Sequence, residues 1–260
     1  MHIPSINKST DKQEKLNNLS KQFSQASSNQ NYNKKFQNKI ASSSDISKHD
    51  NLENIWYNKP YTLTELNKAI NNKKGTATGL DKTSYTMLKH LPKKCKEILL
   101  KLFNTIWSEG EIPKAWKESL IIPLHKQRKD PSKAESYRPV SLTSNLCKSF
   151  EALINNRLNY YLETTNNINK QQSGYRKTYS TTDHLIRLQH YIRAAQHGNK
   201  YTVAVFLDFT KAFDMVWKNG LLQKVYKKGI MVTCSILSKT FYPTELLELK
   251  QITCYQIITP

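Results

Sequence analysis

Acidic residues are scarce in this sequence. Only 20 Asp and Glu stand against 40 Lys and Arg, which gives a formal net charge of +20 at pH 7. The excess cations are spread along the chain and are not confined to one tail. Because a strongly basic surface attracts polyanions, we expect a polyanion as the partner.

Long apolar runs are also missing. The sequence has no stretch of about 18 apolar residues that could span a bilayer, and no apolar N-terminal segment of the signal-peptide type. We therefore expect an intracellular protein without membrane contact, in the nucleus or the cytoplasm. No protein partner is evident.

Cysteine is rare and widely spaced. The four cysteines form no Cys-x-x-Cys pair and have no histidine at zinc-binding spacing: Cys95, Cys147, Cys234 and Cys254. This pattern predicts buried, reduced thiols and neither a disulfide framework nor a zinc site.

Apolar residues are too sparse in residues 1–55 to show sustained periodicity. Asn, Ser, Gln and Lys dominate there, so we predict a disordered or weakly helical polar leader. Order is predicted from Tyr61, where Thr62–Glu65 matches a capping box and begins a short helix before Gly75. A longer helix is predicted from Lys93 to Glu109, with a stop at Gly110 and these residues inward: Ile98, Leu99, Leu102, Phe103 and Ile106.

Two short strands are predicted next, at Ser119–His125 and Tyr137–Leu142, joined by the basic loop Lys126–Pro131. Such a loop can bind phosphate, because Lys and Arg both donate to anionic oxygens, but an exposed basic turn is usually only solvated. Two amphipathic helices follow. Their apolar faces are Leu146, Phe150, Leu153, Ile154, Leu158 and Leu162 in the first, and Leu185, Leu188, Ile192 and Ala195 in the second.

A polar turn and an apolar run complete the candidate features. The turn Gln171–Lys177 contains a glycine, an aromatic ring and two cations, which suits stacking on a base as well as an ordinary surface loop. The run Val203–Leu207 predicts a buried strand, and Asp208 at its exit could hold a divalent cation. The plain alternative is that Asp208 ends a strand and Asp214 begins a helix.

Several separate blocks occur in an order typical of one family. They are Gly79–Asp81, Ile112–Lys117, Ser136–Thr143, Lys148–Glu151 with Asn156–Leu158, Gln172–Arg176 with Ser180–Thr182, and Leu207–Trp217. Together they resemble the reverse transcriptase domain of non-LTR retrotransposons, closest to the jockey-like group. The resemblance covers residues 60–230.

The resemblance implies an α+β fold of the right-hand polymerase type. Residues 60–230 would form the fingers and the start of the palm, an incomplete domain with no second palm motif and no thumb. The implied activity is RNA-directed DNA polymerisation, in which two Mg²⁺ ions assist transfer of a nucleotide to a primer 3′ hydroxyl. The implied partners are an RNA template, a DNA primer and a dNTP.

The resemblance also assigns roles to single residues. Asp208 matches the first catalytic carboxylate, which binds both Mg²⁺ ions, and the backbone carbonyl of Phe209 would add a ligand. Nucleotide binding is implied for Lys126, Arg138, Phe213 and Gln172, and template contact for Gly174, Tyr175 and Arg176. Phe213 would exclude a ribose 2′ hydroxyl. Arg138 matches together with its neighbouring proline, whereas the Lys126 loop departs from the family's Lys-Pro-Gly pattern.

One departure concerns the rest of the active site. No Asp follows Asp214, so the Tyr-x-Asp-Asp block of the family is not in this sequence. One carboxylate cannot satisfy two ions that each take about six oxygen ligands, and we expect this chain to be inactive. Two alternatives stay open: a non-catalytic remnant that binds nucleic acid, and a product that never folds.

The resemblance stops after Ile230. Codons can be chosen that encode Met231–Lys250 as written and that also encode, when read one nucleotide earlier, a segment similar to the family's next block. We therefore predict that residues 231–260 are an out-of-frame tail.

Overall fold

The computed structural model describes residues 12–26, 33–35, 38, 55–74, 77–209 and 216–230. The chain divides into two compact units, residues 158–210 and the rest, with the division inside one long helix. The described residues form helices and one two-stranded antiparallel sheet. This mixture confirms the α+β class.

The first unit contains the following helices: α1 (Lys12–Ala26), α2 (Leu63–Asn71), α3 (Tyr85–Lys89), α4 (Lys93–Glu109), α5 (Lys114–Lys117), the first part of α6 (Asn145–Thr164) and α8 (Lys218–Lys227). Two predicted helix boundaries are confirmed. Thr62 and Glu65 form a complete capping box at the start of α2. Gly110 ends α4 in the left-handed conformation, with φ 70°.

Aromatic side chains make the core of the first unit. The ring of Phe103 lies 5.5 Å from that of Phe150 and 5.8 Å from that of Trp116, and Tyr61 lies 5.2 Å from Trp107. Helix α4 buries Leu99, Phe103, Ile106 and Trp107. The prediction that Ile98 and Leu102 also point inward is wrong, because α4 is covered on a narrower face than its apolar pattern suggested, and both side chains are exposed.

The predicted hairpin is confirmed. Strand β1 (Ser119–His125) pairs antiparallel with β2 (Tyr137–Thr143), and His125 lies opposite Tyr137 at the loop end. One face of this hairpin packs on α1, where Leu19 and Phe23 form a buried cluster with Ile121, Ala134 and Tyr137.

Helix α1 is a packed helix at Lys12–Ala26, where a disordered or weakly helical leader was predicted. Leu16, Leu19 and Phe23 recur at helical spacing, and all three are buried. Burial of Leu19 and Phe23 against the hairpin helps to offset the entropy of ordering an otherwise polar segment. The remainder of the leader lies largely outside the described residues.

The second unit contains the end of α6, the turns of residues 165–180, helix α7 (Thr181–His197) and the segment 201–209. Helix α7 forms as predicted, but none of its residues is buried, and Leu185 and Ile192 of its predicted inward face are exposed. Val203–Leu207 is not a strand in this structure. Its side chains are largely exposed, with Val203 86 % and Leu207 84 % accessible, because no other strand of the described residues pairs with it.

Two cysteines fall within the described residues. Cys147 is buried, and burial raises the pKa of its thiol. Cys95 is exposed, so the prediction of burial fails there; the other two cysteines lie outside the described residues. Within the described ranges, no helix is long and apolar enough to cross a membrane.

Candidate nucleotide and nucleic-acid site

The hairpin brings Lys126 and Arg138 to the same end of its two strands. The backbone N–H of Lys126 donates to the carbonyl of Ser136 at 2.7 Å and continues the pairing beyond His125. The Lys126 ammonium donates to the carbonyl of Glu135 at 2.6 Å. Lys126 therefore helps to close the loop, and two of its three ammonium protons are left for an anion.

Arg138 lies on the hairpin face that does not pack on α1. Arg138 pairs with Leu124 across the strands, and Val140 is two residues along on the same face. All three side chains are exposed, with Leu124 48 % accessible. Within the part of the chain that the structure describes, the Arg138 guanidinium has no hydrogen-bond or ion-pair partner. An exposed guanidinium beside apolar surface can bind a phosphate while the neighbouring side chains contact a sugar or base.

The turn of the second unit presents Tyr175. Its side chain is 86 % exposed, and its backbone has φ 62°, a left-handed conformation that is uncommon for a residue with a side chain. Gln172 is exposed as well, and its side-chain amide donates to the carbonyl of Gly174 at 3.2 Å. An added Cβ at Gly174 would meet no atom within 4 Å. The turn therefore exposes most of an aromatic ring, and an exposed ring is a surface on which a base can stack.

Arg176 is held within the second unit. Its Nε and Nη2 donate to the two carboxylate oxygens of Glu163 at 2.9 and 2.6 Å, and its Nη1 donates to the carbonyl of Gln172 at 3.1 Å. Its guanidinium also lies 4.3 Å from the ring centroid of Tyr179. The hydrogen bonds with Glu163 hold the pKa of Arg176 above its ordinary value and the pKa of Glu163 below its own. The contacts that the structure gives Arg176 are internal.

Asp208 and Phe209 end the described part of the segment 201–209. Both are exposed, and Phe209 is 79 % accessible. Phe213, the predicted gate against the 2′ hydroxyl, lies outside the described residues, as does Asp214. Lys126 and Arg138 belong to the first unit, whereas Gln172, Gly174, Tyr175, Arg176, Asp208 and Phe209 belong to the second.

The described residues do not form a two-ion magnesium site. Among them, no group of three or more His, Cys, Asp or Glu side chains could hold a metal ion. Asp208 supplies one carboxylate, and Mg²⁺ prefers an octahedral set of about six oxygen ligands. No catalytic step through the metal follows from these residues.

The sequence did not reveal three structural features around the candidate site. Glu163 pairs with Arg176, and the exposed apolar pair Leu124 and Val140 surrounds Arg138. The alternation of side chains along a strand could have indicated that Val140 shares a face with Arg138. No local pattern links Glu163 to a residue in the following turn. The third feature lies in the first unit and concerns Gly79 and Asp81.

Gly79 and Asp81 attach the loop before α3 to the start of α6. A Cβ at Gly79 would lie 2.7 Å from the backbone N of Ser144, a distance that real Cβ atoms essentially never show. Ser144 Oγ donates to Asp81 at 2.6 Å. The Gly-Leu-Asp block therefore has a packing role in this structure.

Comparison with known proteins identifies the family. The family described as "Reverse transcriptase (RNA-dependent DNA polymerase)" matches residues 124–257, just over half of the chain. The chain belongs to the reverse transcriptase family. The hairpin end, the turn with Tyr175 and Asp208 all lie within the matched range, which also continues past Ile230.

Several Drosophila relatives share this similarity. The "Probable RNA-directed DNA polymerase from transposon BS" of Drosophila melanogaster is 38% identical over 172 residues, covering 65% of this chain and 19% of the relative. The "RNA-directed DNA polymerase from mobile element jockey" of the same species is 39% identical over 148 residues, covering 57% and 16%. The jockey polymerase of Drosophila funebris is 36% identical over 166 residues, covering 64% and 18%. This reverse transcriptase chain thus spans about a fifth or less of each relative's length.

Proposed function

We propose that this chain is the fingers and the start of the palm of an RNA-directed DNA polymerase of a mobile element. The observation that supports this most is the similarity to mobile-element polymerases of Drosophila, at 38–39% identity over more than half of the chain. The exposed cation on the hairpin and the exposed ring of Tyr175 agree with it, because a polymerase must contact both a nucleotide and a template strand.

The proposed roles follow the matching residues. Arg138 binds the triphosphate of an incoming dNTP, with Lys126 as a second and more mobile charge. Gln172 lies beside that nucleotide, and Tyr175 stacks on a template base. Asp208 is the first metal-binding carboxylate, the Phe209 carbonyl adds a ligand, and Phe213 excludes a ribose. Two Mg²⁺ ions would supply activation of the primer hydroxyl and neutralisation of the triphosphate once further carboxylates complete the site.

Two assays on this chain test the proposal. In the first, a labelled hybrid of RNA template and DNA primer is titrated with the protein at several salt concentrations. The logarithm of the binding constant should fall linearly with the logarithm of salt, with a slope of about 0.7–0.9 for each phosphate contacted. Arg138→Ala should weaken binding of the hybrid with dNTP more than Arg193→Ala, a matched loss of one exposed cation from α7. Equal losses would contradict the role of Arg138.

In the second assay, primer extension on an RNA template with Mg²⁺ is measured with Asp208→Asn as the control. We expect no extension above that control, because one carboxylate does not hold two ions. Extension by the wild-type chain that Asp208→Asn abolishes would show that this chain is catalytic and would overturn the proposal that it is inactive.

The second candidate function is non-catalytic binding of nucleic acid. The net charge of +20 favours it, since counterion release by Lys and Arg is enough for binding without sequence preference. It predicts equal affinity for RNA hybrids and for unrelated DNA duplexes. A preference for the primed RNA hybrid that depends on Arg138 favours the polymerase origin instead.

The out-of-frame origin of residues 231–260 stays a proposal. The family match includes residues 231–257 of this tail. Sequencing of the genomic locus around the codon of Ile230 tests it. The proposal requires a shifted frame that continues into a Tyr-x-Asp-Asp block, and it fails if neither shifted frame does so.

A further inference from the structure

Two arginines hold the backbone of the turn that carries Gln172 and Tyr175. Arg176 donates from Nη1 to the carbonyls of Asn169 and Gln172 at 3.4 and 3.1 Å. Arg187 on α7 donates from Nη1 to the carbonyl and the side-chain oxygen of Gln171 at 3.2 and 3.0 Å. The carbonyls of this turn are thus bound by guanidinium groups from two directions.

Glu163 fixes the first of these arginines. Its carboxylate accepts two hydrogen bonds from Arg176 in a bidentate pair, and the stacked ring of Tyr179 limits movement of the guanidinium on one side. Only 10% of the Arg176 side chain is accessible, against 37% for Glu163. A guanidinium held in this way is a poor phosphate ligand, because its donors already have partners.

The held turn keeps Tyr175 in a costly conformation. A left-handed backbone is unfavourable for an L-residue by about 1–2 kcal/mol, so a turn without fixed carbonyls would relax to other conformations. The exposed ring would then lose its fixed direction. A ring that is fixed before binding stacks on a base with a smaller loss of conformational entropy.

We propose that Glu163 is a positioning residue for template binding, which acts through Arg176 to hold Tyr175 ready to stack on a base. This rests on the proposed function and deepens it. It replaces the direct template contact expected of Arg176 with an indirect role. The proposal also assigns a favourable effect on nucleic-acid binding to an acidic side chain, which simple electrostatics does not.

Glu163→Gln changes the RNA affinity in opposite directions if Glu163 acts through overall charge and if it acts by positioning Tyr175. Loss of a negative charge from a basic protein should strengthen binding of an RNA oligonucleotide if only overall charge matters. Loss of the positioning pair should weaken it. We expect Glu163→Gln to bind a single-stranded RNA oligonucleotide at least about threefold more weakly, and Tyr175→Ala to lose about fivefold or more, the usual range for one stacked base. Glu97→Gln on α4 is the matched control, since Glu97 is 51% accessible and pairs only weakly with Lys93 at 4.0 Å.

Three further measurements make the test specific. Glu163→Gln should not weaken binding further in the Tyr175→Ala background, because a residue that acts through Tyr175 cannot do so without it. Arg176→Lys keeps the charge but not the fork, and it should weaken binding at every salt concentration without changing the salt slope. A direct phosphate contact would instead reduce the slope of Arg176→Ala by about 0.7. Hydrogen exchange at the amides of Gln172 and Arg176 should become faster in both Glu163→Gln and Arg176→Lys.

The outcomes for the wild type and for Glu163→Gln test the proposed function and this inference separately. If the wild-type chain does not bind the oligonucleotide, both the proposed function and this inference fail. If the wild type binds and Glu163→Gln binds equally or more tightly, the inference alone fails. Should Glu163→Gln not fold, as judged by circular dichroism, Arg176→Ala decides instead: an unchanged salt slope supports the positioning role, and a slope reduced by about 0.7 contradicts it.

Discussion

Replacement of Arg157 by alanine should destabilise the first unit more than any other single change of a charged residue described here. Its guanidinium donates to both carboxylate oxygens of Glu65, at 2.7 and 2.9 Å, and to the carbonyls of Tyr57, Lys59 and Pro60. It also lies 4.1 Å from the ring centroid of Tyr61. One side chain of α6 therefore holds the chain entry to α2 through five hydrogen bonds.

The expected loss of unfolding free energy in Arg157→Ala follows from the burial of the Arg157–Glu65 pair. The Arg157 side chain is 10% accessible and Glu65 32%. Removal of one partner of a fully buried pair costs about 3–5 kcal/mol, and because the Glu65 carboxylate reaches water, we expect a loss of about 3 kcal/mol. That corresponds to a fall in Tm of about 6–12 °C for a chain of this size.

Urea unfolding followed by tryptophan fluorescence measures this loss, because Trp107 and Trp116 are buried in the same core. Arg157→Lys should fall between the wild type and Arg157→Ala, since lysine keeps the charge and loses the fork. Arg193→Ala on the exposed surface of α7 should change the free energy of unfolding by less than about 0.5 kcal/mol. A loss below about 1 kcal/mol for Arg157→Ala would show that this buried pair does not hold the entry to α2.

Three other predictions concern stability. Gly79→Ala should lower the free energy of unfolding by about 1–3 kcal/mol, because its Cβ would clash with backbone, whereas Gly174→Ala should leave it unchanged in the same urea titration. Leu19→Ala should lower it by about 2–5 kcal/mol; an unchanged midpoint would show that α1 does not pack on the hairpin. Burial opposes ionisation of Glu65, but hydrogen bonds from Arg157 and Thr62 outweigh it and hold the pKa of Glu65 below its ordinary value. Its contribution to stability is therefore present above about pH 4.3 and lost as the pH falls through the lower folded pKa, so urea midpoints should fall less on acidification in Glu65→Gln than in the wild type.

Local signals in the sequence predicted local structure well. The capping box at Thr62, the stop at Gly110 and the two strands around the basic loop all formed as expected. Each of these depends on residues a few positions apart, whose hydrogen bonds and backbone preferences do not need the rest of the fold.

Burial and long-range pairing could not be predicted in the same way. The apolar run at 203–207 reads as a buried strand, but burial also requires a partner strand, and the described residues provide none. The Arg157–Glu65 pair joins residues 92 positions apart, and no periodicity indicates it. Helix α1 packs through three buried apolar side chains, Leu16, Leu19 and Phe23, although the composition around them is typical of disorder.

In the candidate site, too, the sequence indicated local features but not long-range contacts. The exposed positions of Arg138 and Tyr175 agree with the roles that the resemblance implied for them. Arg176 does not have the exposed guanidinium that a template contact requires, because Glu163, thirteen residues away, binds it. Sequence motifs name residue types, whereas only the structure shows which donors already have partners.

The role of Asp208 as the first catalytic carboxylate can be tested by exchanging the matching segment with that of a relative. Residues 60–230 of this chain would replace the corresponding part of the jockey polymerase of Drosophila melanogaster. The chain is 39% identical to that polymerase over 148 residues. The measurement is primer extension on an RNA template with Mg²⁺. We expect extension by this chimera and its loss in the same chimera with Asp208→Asn. Extension that survives Asp208→Asn would contradict the assignment of Asp208 as the first catalytic carboxylate.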